Sequence, residues 1–199
     1  MDLFPEKKRQ FNLPNAELIY IDNFYDTAIA DQYFDILKET VNWQQDDITI
    51  FGKTYKQPRL TALYANNSKP YSYSNIIMQP TLFSTELQKI KSDIEKESYH
   101  EFTSVLLNRY RDGNDSNGWH ADNEKELGTN PVIASLSLGE SRPFHFKHRH
   151  IKEQRHKINL NHGSLLIMKG DMQQHWLHQI AKTKKTIGER INLTFRTIL

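Results

Sequence analysis

The sequence predicts a mostly β protein, a sandwich or jelly roll with helices packed against its outside. Three observations carry this. From Phe102 onward the chain falls into many short β-like runs divided by turn residues. Before that point two segments repeat apolar residues at helical spacing instead. No glycine-rich phosphate loop follows a strand, which argues against a doubly wound nucleotide-binding fold.

The first helix is expected over Thr27–Val41, where Asp26 can cap the start and Ile29, Tyr33, Phe34 and Leu37 recur on one stripe. The second is expected over Thr85–Tyr99. Thr85 stands three residues before Gln88, a capping-box spacing, and Leu87, Ile90 and Ile94 form its apolar stripe. The strands are then expected at Phe102–Tyr110, Val132–Leu138, Phe144–Lys147, Lys157–Leu160, Ser164–Met168, Gln174–Ile180 and Arg190–Ile198. Asp112–Gly118, Gly139–Pro143 and Asn161–Gly163 supply turns between them. Many short strands in one block are the pattern of a jelly roll.

Composition narrows the chemistry. At 199 residues, 37% of them hydrophobic and 11% aromatic, the chain suits one globular domain spanning 1–199. It has no cysteine, so a metal must be held by His, Asp or Glu. No apolar run approaches the ~18 residues that cross a bilayer. The stretch Met1–Pro14 is polar and lacks the apolar core of a secretory signal. A cytoplasmic protein with access to the nucleoid, or a nuclear one in a eukaryote, is expected. It should have no membrane partner and act as a monomer. Net charge is only +2, yet positive charge gathers in Phe146–Lys157 (FKHRHIKEQRHK) and at Lys182, Lys184 and Lys185. Local basic patches of this kind, more than overall charge, mark nucleic-acid contact, although lysine-rich loops are also ordinary soluble surface.

The sharpest constellation is His120-Ala121-Asp122 with His178 further along. In extended chain His120 and Asp122 point to the same side. A second histidine completes a face of two imidazoles and one carboxylate, which leaves iron with open positions for oxygen and an organic cosubstrate. Alone, an H-x-D pair is weak, because surface histidines produce it often.

In Arg190-Ile-Asn-Leu-Thr-Phe-Arg196 the residues Arg190, Asn192, Thr194 and Arg196 share one strand face, and Ile191, Leu193 and Phe195 share the other. Two guanidiniums on one face suit a short dicarboxylate such as 2-oxoglutarate, held by an arginine fork at each end. A salt-bridged surface strand is the bland alternative. Asn108 and Tyr110 share the face of Phe102 and Leu106 and read as ligand donors or as a capped strand end. His145, His148 and His150 could be drawn as a second metal site, but that spacing is more often a basic loop.

The strings QPRLTALY, YSYS, LLNRYRDGND, WHADNEKELG, PVIASLSLGESRPFHF, HGSLLIM, HWLH and RINLTFR, in this order, resemble the AlkB family of iron(II) and 2-oxoglutarate-dependent nucleic-acid dealkylases. The likeness runs from about Trp43 onward and is greatest to the eukaryotic DNA-repair homologues two and three. It implies a double-stranded β-helix core over about 101–199, with N-terminal helices and a nucleotide-recognition lid over about 15–100. It implies His120, Asp122 and His178 as iron ligands, with His175 a structural neighbour. Arg190 is then the residue for the distal carboxylate of 2-oxoglutarate, Arg196 lies near its 1-carboxylate, and Asn108, Tyr110 and Asn192 make further contacts. Glu124 is implied to bond the exocyclic amine of a flipped base, Tyr73 to stack on it, and Tyr64 to lie near the substrate backbone. Arg142 is placed beside the active site. Phe51 resembles a wedge residue of the duplex-preferring homologue, and Lys184 and Lys185 resemble its DNA-contacting lysines. The segment 147–161 departs from the pattern in length and charge.

The implied activity is removal of alkyl groups from 1-methyladenine and 3-methylcytosine in DNA. Such lesions pair poorly, so they cost least to extrude, and their positive charge suits a pocket with a carboxylate and π faces. The same chemistry on RNA or protein, or a silent nucleic-acid-binding module, remain the alternatives at this point. Strand preference is open.

Overall fold

The computed structural model describes residues 8–50, 52–68, 71–73 and 76–199, and the side chains of 50, 71–73, 76 and 77 are outside that description. Strands β1 (Lys8–Leu13) and β2 (Ala16–Ile21) precede helix α1 (Thr27–Thr40). A hairpin of β3 (Asp47–Ile50) and β4 (Lys53–Lys56) leads to β5 (Leu60–Ala65). A second hairpin, β6 (Tyr71–Tyr73) and β7 (Ile76–Met78), is followed by β8 (Thr81–Leu82) and helix α2 (Thr85–Ser98). Then come β9 (Ser104–Tyr110), β10 (Asn117–His120), a 3-10 turn over Lys125–Leu127, β11 (Ile133–Gly139) and β12 (Arg142–His148). The chain continues through β13 (Arg155–Leu160), β14 (Ser164–Lys169), the single-turn α3 (Met172–His175), β15 (Trp176–Ile180) and β16 (Arg190–Arg196).

Two sheets face each other. The larger has the order β1-β2-β14-β11-β16-β9-β5-β8, and the smaller β10-β15-β12-β13. One face of the large sheet lies under the helices. Ile191, Leu193 and Phe195 of β16 meet Leu37 of α1 and Leu87, Ile90 and Ile94 of α2 there. Its other face meets the small sheet, where Leu106 and Tyr110 of β9 pack with Phe144, Phe146, Trp176 and Ile180. With both faces covered, β9, β14 and β16 are almost wholly buried, as the near-continuous apolar runs of β9 and β14 require.

All seven expected strands are present, with shifted ends. Phe102 lies before β9 and turns to the helical side against Phe195, so it does not share the face of Asn108 and Tyr110. The run expected at Gln174–Ile180 begins as the α3 turn and extends only from Trp176. The first helix is capped as expected, with Asp26 accepting from the Ile29 amide at 2.9 Å. Its buried stripe is Ala30 and Leu37, and Ile29 is 41% exposed. In α2 the cap is Ser84, whose hydroxyl accepts from the Leu87 amide, so Thr85 is the first helical residue and not the cap. The N-terminal half supplies more than helices and hairpins, because β2 pairs with β14 and β5 with β9 in the core sheet. At the end of β11, Gly139 has φ +83°, and a Cβ there would strike the Glu189 carbonyl and the Phe34 ring.

Candidate metal centre

The two sheets open toward a cavity of about 40 Å³ lined by His120, Asp122 and His178 on one side and by Arg190, Asn192, Thr194 and Arg196 on the other. The alternation of β16 turns these last four inward and gives Ile191, Leu193 and Phe195 to the helical core. Register then sets Tyr110 opposite Arg190 and Asn108 opposite Asn192.

His120 closes β10 and His178 sits in β15 directly opposite it. Asp122 lies two residues beyond the strand, and its backbone amide donates to Gln173 Oε1 at 3.0 Å. The possible ligand atoms of His120, Asp122 and His178 all lie within 4.8 Å of one another. His120 Nδ1 lies 2.7 Å from the Gly118 carbonyl, which holds the proton on that nitrogen and leaves Nε2 the acceptor; here it accepts from Asn117 Nδ2 at 3.1 Å, a bond that a metal on Nε2 would replace. His178 presents Nε2 to Asp122 Oδ2 at 3.8 Å.

The protonation states suit a divalent cation. Burial pushes the His178 imidazole down to about 3 and lowers that of His120 as well. Burial works against the Asp122 charge, but the Arg196 guanidinium and the two imidazoles outweigh it and hold the carboxyl at about 2. Near neutral pH the cluster is therefore two neutral imidazoles and one carboxylate. No proton has to leave before a metal binds.

Arg190 is the second unusual group. It is 1% exposed, and burial lowers its guanidinium to about 10, so it stays charged at neutral pH. NH2 donates to Ser137 Oγ at 2.9 Å, and the Tyr110 ring lies 5.2 Å from the guanidinium carbon. Nε and NH1 are buried without a hydrogen-bond partner among the described residues. A buried cation with two open donors facing a cavity fits a carboxylate. Arg196 is engaged otherwise, since its NH2 donates to Asp122 Oδ1 at 2.7 Å. Asn192 donates to Ser135 Oγ and the Leu136 carbonyl and accepts from Thr194. Asn108 accepts from Arg59 Nε at 2.7 Å.

Two residues implied near the substrate do not line the cavity. Tyr64 is in the helical core, because register pairs it with Val105 while Leu63 pairs with Leu106 on the cavity side. It therefore faces away from the site. Arg142 is 2% exposed and donates to the carbonyls of Asp112, Asp115 and Ala181. It ties the turn after β9 to the loop after β15, behind Tyr110, and not to the cavity. Glu124 is half-buried just before the 3-10 turn, outside the cavity lining. Lys184 and Lys185 are exposed on the loop between β15 and β16. The side chain of Tyr73 and the whole of Phe51 lie outside the described residues.

His175 stacks on His148, 5.7 Å between ring centres. His148 Nδ1 accepts from the amides of His150 and Ile151 at 3.1 Å, so these histidines shape the β12–β13 hairpin. Gln173 and Arg59 were not singled out from sequence. Their partners, the Asp122 amide and Asn108, are remote in the chain, and no local pattern announces such bonds.

A family model described as 2OG-Fe(II) oxygenase superfamily matches residues 17–196. The chain is 42% identical over 184 residues to the alpha-ketoglutarate-dependent dioxygenase alkB homolog 3 of Bos taurus, covering 88% of this chain and 64% of that relative. It is 35% identical over 185 residues to the DNA oxidative demethylase ALKBH2 of Homo sapiens, covering 86% of this chain and 70% of that one. The chain thus spans less than two thirds of the length of the alkB homolog 3 relative. A solved structure of OsALKBH1 superposes with a TM-score of 0.67 at 19% identity, over 94% of this chain and 100% of that one, which shows a shared fold.

Proposed function

This chain belongs to the 2OG-Fe(II) oxygenase superfamily, in its AlkB-like group, and from that premise we propose that it removes alkyl groups oxidatively from damaged nucleobases in DNA. Relatives named as DNA oxidative demethylases support the substrate class. The observation that carries the reading is the joining, in one cavity, of the His120–Asp122–His178 cluster and the incompletely satisfied Arg190.

Iron(II) and 2-oxoglutarate would supply hydroxylation of the N-alkyl carbon by oxygen, with succinate, carbon dioxide and an aldehyde released. The protein's part is position and exclusion of water. His120, Asp122 and His178 would hold the metal, and the Gly118 carbonyl and Arg196 hold His120 and Asp122 in turn. Arg190 pairs with the distal carboxylate of the cosubstrate, set in place by Ser137 and Tyr110. The Phe144 ring, centred 5.1 Å from that of His178, is an apolar neighbour of the cluster. A base reaches this cavity only after leaving its stack, which favours 1-methyladenine and 3-methylcytosine, lesions that have already lost pairing. Glu124 and Tyr73 are assigned to reading that base.

The test is release of formaldehyde and succinate from methylated oligonucleotides, single-stranded and duplex, against methylated RNA. Release from DNA that is abolished in Asp122→Ala is expected. Release from RNA alone would move the substrate, and no release from any of them would remove the dealkylase reading.

A further inference from the structure

The outer face of the small sheet carries side chains for which the reaction has no use. Alternation along β12 buries Phe144 and Phe146 between the sheets and turns His145 and Lys147 outward. Register sets Lys157 beside His145 and Arg155 beside Lys147, so β13 extends the same basic row. Trp119, one peptide bond before His120, is 41% exposed, with the Lys147 ammonium 4.3 Å from its ring centre. A groove of about 280 Å³ runs among Trp119, Lys147, Arg155, Lys157, His145 and His156. A neighbouring groove of about 530 Å³ shares His145 and Lys157 and reaches Lys182 and Lys185.

None of Lys147, Arg155, Lys157, Lys182 or Lys185 makes an ion pair among the described residues. Glu140, the acid at the margin of the second groove, already accepts from the Gly188 amide. A row of unneutralised cations beside an exposed ring is suited to phosphates next to a stacked base. That combination marks single-stranded nucleic acid, because a duplex offers no free π face. From β10 to β13 the row spans three strand spacings, roughly 15 Å at ~4.8 Å each. Stacked nucleotides rise about 3.4 Å each, so the row accommodates about four.

We propose that this face binds the single strand flanking the damaged base, with an unflipped base on Trp119 and phosphates on Lys147, Arg155 and Lys157. The proposal rests on the nucleic-acid reading above. Trp119 links the two, since it is adjacent in the chain to a residue lining the cavity.

Two measurements test it. In the first, the full chain repairs a long single strand and a trinucleotide, each with one 1-methyladenine. Trp119→Ala should raise KM for the long strand about tenfold, the worth of one base stacked on one ring, and leave kcat and the trinucleotide KM unchanged. Trp119→Phe should restore most of the loss. In the second, fluorescence anisotropy follows binding of an undamaged labelled single strand against salt. The double variant Arg155→Ala, Lys157→Ala should lower the slope of log affinity against log salt by about 1.4, at ~0.7 per phosphate contact. Equal loss on the trinucleotide would show Trp119 acting through His120, and an unchanged slope would leave the basic row without a phosphate. Either result overturns the proposal. If the parent protein repaired neither substrate, the dealkylase reading would fall, while anisotropy would still decide whether this face binds single strands.

Discussion

Replacing Arg190 by methionine separates binding from stability in a way few substitutions can. In the protein without cosubstrate, two donor nitrogens of the buried guanidinium, Nε and NH1, meet no acceptor among the described residues. Each such donor costs about 1–3 kcal/mol of lost solvation. Against this stand the bond to Ser137, about 1.5–3 kcal/mol for a charged donor, and the Tyr110 face, about 1–2 kcal/mol. These sums nearly cancel. Arg190→Met should therefore move the melting temperature of the cosubstrate-free protein by no more than about 2–4 °C, the equivalent of ~1 kcal/mol in a chain of this size. An arginine in a complete buried ion pair would instead leave a deficit of about 3–5 kcal/mol. Cosubstrate binding should respond in the opposite manner. Loss of one desolvated charge pair costs about 2–5 kcal/mol, or roughly thirtyfold to several thousandfold in affinity. Calorimetric titration of 2-oxoglutarate, with manganese for iron and oxygen excluded, reads the affinity, and thermal melting reads the stability. An affinity within about threefold of the parent, or a melting point lowered by more than ~10 °C, would refute the reasoning.

Three further outcomes follow from the same structure. The His178 imidazole titrates at about 3 in the fold against an ordinary value near 6.5, so the unfolded chain binds the extra proton first. Its stabilising share is complete above pH ~6.5 and is lost as pH falls toward 3, so His178→Gln should flatten the acid limb of metal-free stability, and an unchanged limb would contradict the burial argument. Tyr64→Phe should leave the KM for methylated DNA unaltered, whereas Tyr64→Ala should cost about 3–5 kcal/mol of stability as a core truncation; a raised KM in the phenylalanine variant would return Tyr64 to the substrate. Ser84→Ala should cost about 1 kcal/mol in urea unfolding and Thr85→Ala clearly less, since the serine caps α2; the reverse order would move the cap.

What the sequence disclosed and what it hid divides by range. Period two alone assigned both faces of β16, because a strand buried on each side cannot mix its residue types. The H-x-D spacing gave only a weak signal at His120 and Asp122, and among the seven later histidines it was the family resemblance that implied His178. Asp26 was readable as a cap because the bond is local. The face of Tyr64 was not readable, since LTALYA is apolar throughout and only its register against β9 decides which residues look inward. Strand β1 was missed for the opposite reason, being a polar edge strand with hardly any buried side. Arg142, Arg59 and Gln173 bond to groups distant in sequence, and neither composition nor period encodes such partners.

The place of β16 has a consequence for synthesis. It is the last strand described, yet it lies inside the large sheet, between β11 and β9. Until residue 196 has left the ribosome, those two strands present unpaired backbone edges and uncovered apolar faces to their surroundings. The half-made chain is then a template for pairing with any passing extended segment, and the wait is set by translation speed. Demand for a chaperone should therefore be greatest while residues 181–196 are still being made, and a ribosome stalled in the 181–189 loop would hold the chain at its most adhesive.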